Sequence, residues 1–225
     1  SVKAKVTPVD SGWNTVAPDD RKQFLSDVCA LAAEVSSIYG FGMSFDLFDT
    51  ACASGAYTTP CARNYWALNG MFISGLIQKK MQGKPNNKGL TVLIFDDNKA
   101  HMPKVSDGLY LAEPWFDALY QQSKKVKGKN QWRDMNQSQR FDHIINTAFA
   151  IKSQHSSLVQ VADAVSYVYR RHLELATQPE AYAGEQAFYS NLVARLDAKR
   201  ERLGRTPDTE CIDFFNAVKH PAWAL

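Results

Sequence analysis

Polar and apolar positions alternate with two different periods along this chain, and the switches between them mark out a series of strands and helices. Residues 2–9 (Val-Lys-Ala-Lys-Val-Thr-Pro-Val) repeat every second position, a weak strand pattern that Pro8 confines to an edge or an end. Pro18-Asp19-Asp20 has the composition of a helix start, with acids in the first turn where they meet the positive end of the helix dipole. Phe24, Val28, Leu31, Val35 and Ile38 follow at steps of four and three. That spacing predicts an amphipathic helix with those residues as its buried stripe and Gly40 as its stop. Residues 43–48 (Met-Ser-Phe-Asp-Leu-Phe) alternate again and predict a second strand.

A long helix is expected from Pro60 to Gly83, rich in large side chains such as Tyr65, Trp66, Phe72, Leu76 and Ile77. Lys84-Pro-Asn-Asn-Lys-Gly89 is a turn cluster. Leu90-Thr-Val-Leu-Ile-Phe95 is a continuous β-prone run of the kind found in strands buried on both faces, and it ends in Asp96-Asp97. Residues 98–140 carry weaker patterns: a short helix around 109–122, then an exposed loop at Lys124-Lys-Val-Lys-Gly-Lys129. A strand is expected between Phe141 and Lys152, and a helix beginning near Ser156. Pro179 to Leu203 reads as another long helix capped by Gly204, and Pro207 to Val218 as a last short one. Strands interleaved with helices predict an α/β sheet flanked by helices.

Composition narrows this picture only a little. A chain of 225 residues with 45% hydrophobic and 22% charged content has the makings of one folded domain over 1–225, with 179–225 as a helical carboxy-terminal extension packed on it. A net charge of +3 is compatible with nucleic acid without arguing for it. The four cysteines are scattered with no Cys-x-x-Cys, a spacing that argues against a cysteine-built zinc site and implies no disulfide framework. No run approaches the ~20 apolar residues of a membrane span, and no signal-peptide pattern is present, so a cytoplasmic location and no membrane partner are expected. The histidines form no His-x-x-x-His pair, and there is no Gly-x-Ser-x-Gly, phosphate-binding loop or dinucleotide fingerprint.

Two acidic positions carry the chemistry that remains. Asp163 lies within Ser-Leu-Val-Gln-Val-Ala-Asp-Ala-Val, an apolar stretch in which a carboxylate needs a hydrogen-bond partner, a positive charge or a metal ion. Gln160 is three residues before it and shares its helix face; Ser156 or Ser157 is placed to cap that helix. Asp96 and Asp97 stand at the carboxyl end of the best-marked strand, where open α/β sheets gather functional groups. They suit a hard cation, or else simply open a turn. Lys124, Lys125, Lys127, Lys129 and Arg133 surround Trp132, so this segment either grips phosphates while the indole stacks on a base or is a solvated charge run. Arg170 and Arg171 follow Asp163 by two turns and are candidates for the same edge, and His155 is a candidate for proton transfer or a surface residue near the cap.

The pattern Ser153-x-x-Ser156-x-x-x-Gln160-x-Ala162-Asp163, preceded by Phe141-Asp-x-Ile-Ile145 and running into Tyr167-x-x-Arg170, resembles the carboxy-terminal signature of the bacterial "domain of unknown function 3800" family. Leu93-Ile-Phe-Asp96 is similar to that family's central acidic strand. The resemblance spans roughly residues 16–200, with specific motifs at 92–97 and 153–171. It implies a ribonuclease H-like mixed sheet and acids from separate elements meeting at one edge to hold magnesium or manganese for nucleic-acid hydrolysis. Asp96 then matches the strand acid and Asp163 the helix acid, both catalytic and metal-binding, with Gln160 supporting them.

The family's usual first strand, ending in Asp-Glu-Ser-Gly, has only a partial counterpart in Asp10-Ser11-Gly12, too close to the helix near Pro18 to leave room for the intervening hairpin. The chain also opens on Ser1 rather than methionine. Either the first strand is missing from this chain or the site has degenerated. A pair of ions about 4 Å apart needs several carboxylates, so Asp97 and Asp10 are the weaker candidate ligands beside Asp96 and Asp163. The alternative expectation is a non-catalytic module on the same fold that binds nucleic acid or a protein.

Overall fold

The computed structural model describes residues 15–59, 64–83 and 89–223; the expected amino-terminal strand at 2–9, the turn cluster at 84–88 and Asp10 lie outside them. Helix α1 (Pro18–Val35) opens as expected with Pro18 in its first turn beside Asp19 and Asp20, but its buried face is Cys29, Ala32 and Ala33. Phe24, Leu31 and Val35 of the expected stripe are 49%, 51% and 70% exposed. The small residues won because they let α1 approach the helices α6 (Ser157–Glu174) and α7 (Glu185–Asp197) closely, which bulkier side chains at those positions would prevent. The helix stops at Val35, short of Gly40.

The strand expected at 43–48 is the start of helix α2 (Phe45–Ala53). The Ser44 hydroxyl accepts the Leu47 N–H, the amino-terminal cap that a six-residue alternation concealed. Phe48 and Ala51 turn into the core. Helix α3 (Tyr65–Gln82) begins at the Asn64 cap and buries half of its residues. It carries Leu68, Met71, Phe72 and Leu76 inward. At Gly75 a Cβ would sit 2.7 Å from the Leu119 Cβ, so glycine lets the short helix α5 (Asp117–Tyr120) rest directly on α3.

Strand β1 (Thr91–Asp96) pairs in parallel with β4 (Ile144–Ile151), Leu93 opposite Ala148 and Asp96 opposite Ile151. The crossover between them contains α4 (Met102–Leu111), α5 and a hairpin of β2 (Ser123–Val126) and β3 (Lys129–Trp132). The architecture is mixed α/β. The expectation of a strand buried on both faces needs correction. Leu93 is buried and Phe95 meets Trp66 of α3, whereas Val92 and Ile94 are 48% and 55% exposed. Among the described residues the parallel sheet has two strands and is covered on one face, so alternate side chains of β1 stay in solvent.

Toward the carboxyl end, α7 and α8 (Glu210–Val218) are shorter than the sequence pattern implied, and residues 198–209 form no helix. Both pack into the common core: Phe72, Phe41 and Phe215 stack within 4.3–5.5 Å of one another, and Leu192, Leu196 and Phe214 join the same cluster. Two buried ion pairs brace this body. Arg140 grips Asp117 through Nε and Nη2, and Arg171 on α6 grips Glu185 at the head of α7. Among the described residues no helix is long and apolar enough to cross a membrane.

Candidate functional site

The carboxyl ends of β1 and β4 form a rim, because parallel strands release their chain in the same direction. Asp96 closes β1. Its Oδ1 accepts the Asp97 N–H at 3.0 Å and the Ser153 N–H at 3.3 Å. The Asp97 N–H also donates to the Ile151 carbonyl at 2.9 Å, extending the ladder one residue beyond β1. Asp97 is half-buried on the loop that turns away toward α4. One carboxylate therefore ties the end of β1 to the single turn (Ser153–His155) that leads from β4 into α6.

That turn sets the start of α6. Ser156 is its cap, the hydroxyl accepting the Val159 N–H. One turn later, the Gln160 side-chain amide donates to the Ser153 carbonyl at 3.0 Å. Asp96, Ser153 and Gln160 thus form one continuous hydrogen-bonded chain, and Asp163 lies three residues beyond Gln160 on the same side of the helix. The apolar neighbours of Asp163 along the sequence do not enclose it. Val161 and Val165 pack on the core, Val168, Tyr169 and Leu173 are buried, and Gln160, Asp163, Tyr167 and Arg170 are spaced along the exposed side. Contrary to expectation, Asp163 is not in apolar surroundings, because helical periodicity turns it outward.

The remaining candidates separate into distinct places. Arg170 is exposed, sits 5.3 Å from the Tyr167 ring and pairs with Glu174 at 3.0 Å. Arg171 is instead committed inward, its Nε and Nη2 each 2.8 Å from a Glu185 oxygen, with side chains only 15% and 5% exposed. This guanidinium, together with the Ala181 N–H, holds Glu185 below the usual carboxylate range. Contact between Arg171 and a phosphate would break a buried pair, which corrects its expected role. Lys124, Lys125, Lys127 and Lys129 belong to the exposed β2–β3 hairpin rather than a loop, with Arg133 just after it and Trp132 half-buried. His155 is exposed beside the cap.

His101 matches no metal motif in the sequence. It lies at the head of α4, on the loop that leaves Asp96 and Asp97. Asn64 caps α3 by accepting the Ala67 N–H through Oδ1, which leaves its Nδ2 to donate to His101 Nδ1 at 3.0 Å. That contact orients the ring, whose centroid lies 6.2 Å from that of Tyr65 and 5.9 Å from that of Trp66. The usable signal was positional: a histidine just before Pro103 at a helix start, five residues past the strand acid.

Magnesium draws one or two carboxylates from protein, and a two-ion centre needs more. Among the described residues no group of three or more His, Cys, Asp or Glu side chains is placed to hold a metal ion. Asp96 and Asp163 alone fall short of a two-ion centre. No family model, curated protein or solved structure matches this chain. The site is accordingly read from its own residues.

Proposed function

We propose that this protein is a nucleic-acid hydrolase of ribonuclease H-like type, related to the bacterial "domain of unknown function 3800" family, with magnesium or manganese as its cofactor. On this reading the described residues contribute two acids, Asp96 and Asp163. One observation carries it: the carboxylate that ends β1 is hydrogen-bonded to the turn that opens α6, the helix bearing Gln160 and Asp163. Two acids distant in sequence are thus borne by directly connected elements at the carboxyl ends of parallel strands, where a ligand meets converging loops. The motif around Ser153–Arg170 and the parallel pair followed by an acid-bearing helix support the ribonuclease H-like reading. Nucleic acid is the substrate it implies, and the cytoplasm its place of action.

Incubation with single-stranded and duplex DNA and RNA, in magnesium or manganese, tests the reading. Cleavage should depend on the ion and fall at least about a hundredfold in Asp163→Asn and in Asp96→Asn, as for loss of a group acting on the transition state. Full-rate cleavage by both variants, or none by the wild type, overturns it.

A second reading is favoured by the lack of a three-ligand group among the described residues: a non-catalytic module that binds nucleic acid or a protein. The ions separate the two. A ligand that binds only the native state raises the melting temperature. A rise with manganese that disappears in Asp163→Asn supports the hydrolase, and no rise with either ion supports the binding module.

A further inference from the structure

Among the described residues, the β2–β3 hairpin carries a dense run of like charge. Residues 121–133 contain five cations, Lys124, Lys125, Lys127, Lys129 and Arg133, and no acid. Lys127 and Gly128 take φ of 48° and 78°, the left-handed pair of a tight two-residue turn whose twist suits a two-stranded ribbon. Every residue from Gln122 to Gln131 is exposed. The ribbon therefore has no core of its own, and isolated two-stranded hairpins are marginal at best.

The register sorts its side chains. Lys124 opposes Gln131 and Val126 opposes Lys129, so these four share one face. The Arg133 N–H donates to the Gln122 carbonyl at 3.1 Å, extending the ladder by one pair and placing Arg133 on that same face. The opposite face holds Ser123, Lys125, Asn130 and the half-buried Trp132. Lysines on exposed strands often serve only to block edge pairing. That role asks for charge along the edges and does not ask for three of five cations on one face around an amide. Like charges gathered on one face repel, and a polyanion relieves the repulsion.

We propose that this face of the hairpin seats in the major groove of duplex DNA, with Lys124, Lys129 and Arg133 on phosphates and Gln131 toward the base edges. Two strands about 4.8 Å apart with their side chains fit a groove about 12 Å wide that admits a two-stranded ribbon. The deep, narrow major groove of duplex RNA excludes such a ribbon. The inference deepens the proposed activity, and it rests on nucleic acid being the substrate.

Binding of the full chain to a 20-base-pair duplex DNA, measured by fluorescence anisotropy in EDTA across a salt series, tests it without any cleavage. The duplex RNA of the same sequence, the single strand and poly-glutamate are the comparison arms. Duplex DNA should bind tightest. The triple variant Lys124→Ala/Lys129→Ala/Arg133→Ala should weaken it at least about tenfold and reduce the slope of log K against log salt by about 2.7, at about 0.9 per phosphate contact. Lys125→Ala, on the other face, should change the slope by less than about 1. Lys129→Glu serves as a second, single-site probe, and an unchanged melting temperature confirms that each variant is folded. Wild-type behaviour of the triple variant, equal or tighter binding of any comparison arm, or absence of DNA binding overturns the inference; preference for poly-glutamate assigns the ribbon to an acidic polypeptide. Duplex binding without ion-dependent cleavage removes the hydrolase and leaves the ribbon. Cleavage of duplex DNA unaffected by the triple variant does the reverse.

Discussion

The two halves of α6 treat charge in opposite ways. Its first half, Ser157 to Val165, is the more apolar in sequence, yet its one acid is exposed beside Gln160. Its second half contains Arg170-Arg171-His172, the more polar stretch, and there Arg171 is drawn inside to meet Glu185. Local composition is therefore a poor guide to which charge a helix buries. Helical phase decides which side faces the core, and the partner on the next helix decides whether a charge can follow. The outer charge faces solvent, and the inner one holds α6 to α7.

Four outcomes test this contrast. The largest effect belongs to the inner charge: Arg171→Ala leaves Glu185 buried without its partner and should cost about 3 kcal/mol of stability, read as a lower urea midpoint. A loss within about 0.5 kcal/mol would show the pair to be ornamental.

Acid comes next. Burial holds His172 below the ordinary imidazole value, against an opposing pull from Asp197, and the Arg171 pairing holds Glu185 below the ordinary carboxylate value. In both cases the unfolded chain takes up a proton before the folded one does, so stability is complete above each ordinary value and is lost as the pH falls toward the lower folded one. The melting temperature should decline first below about pH 6.5 and again below about 4.5. His172→Gln should flatten the first decline, and a decline left intact in that variant would remove histidine from the account.

Removing the cap of the outer half, Ser156→Ala, should cost about 1 kcal/mol or less in thermal unfolding. Smallest of all, Asp163→Asn, which keeps the shape and hydrogen-bonding capacity of an exposed side chain, should change stability by no more than about 0.5 kcal/mol. A large loss of stability in this variant would mean that Asp163 is structural and that its role in chemistry should be abandoned.

Elements with strong local punctuation were legible before any coordinates. Pro18 with two acids started α1, the run ending at Asp96 was a strand, and the Ser156-Ser157 pair marked the start of α6, with Ser156 as its cap. Misreadings fell where two patterns overlapped. Residues 43–48 alternate like a strand, but Ser44 also caps a helix, and Phe45 and Phe48 are three apart as a helix requires. On α1 the large apolar residues drew attention, while close packing selected the small ones. The lysine segment was visible as charge but not as a hairpin, since the decisive feature, two successive left-handed residues at Lys127-Gly128, is conformational. In the candidate site, Asp96, Gln160 and Asp163 could be picked out by residue type and position. The bond from Ser153 to Asp96 and the fixing of His101 by Asn64 could not, because each joins segments remote in the chain.

By itself, the sequence determined where helices and strands begin when a cap, a proline or a periodic run announced them, and which residues were chemically able to serve a site. Tertiary structure alone decided which side of each element is buried, which arginine is spent on an internal pair, and which carboxylate stays at the rim. The reason is physical. Starts and stops are set by hydrogen bonds within a few residues, whereas burial and pairing are set by whatever another part of the chain brings alongside.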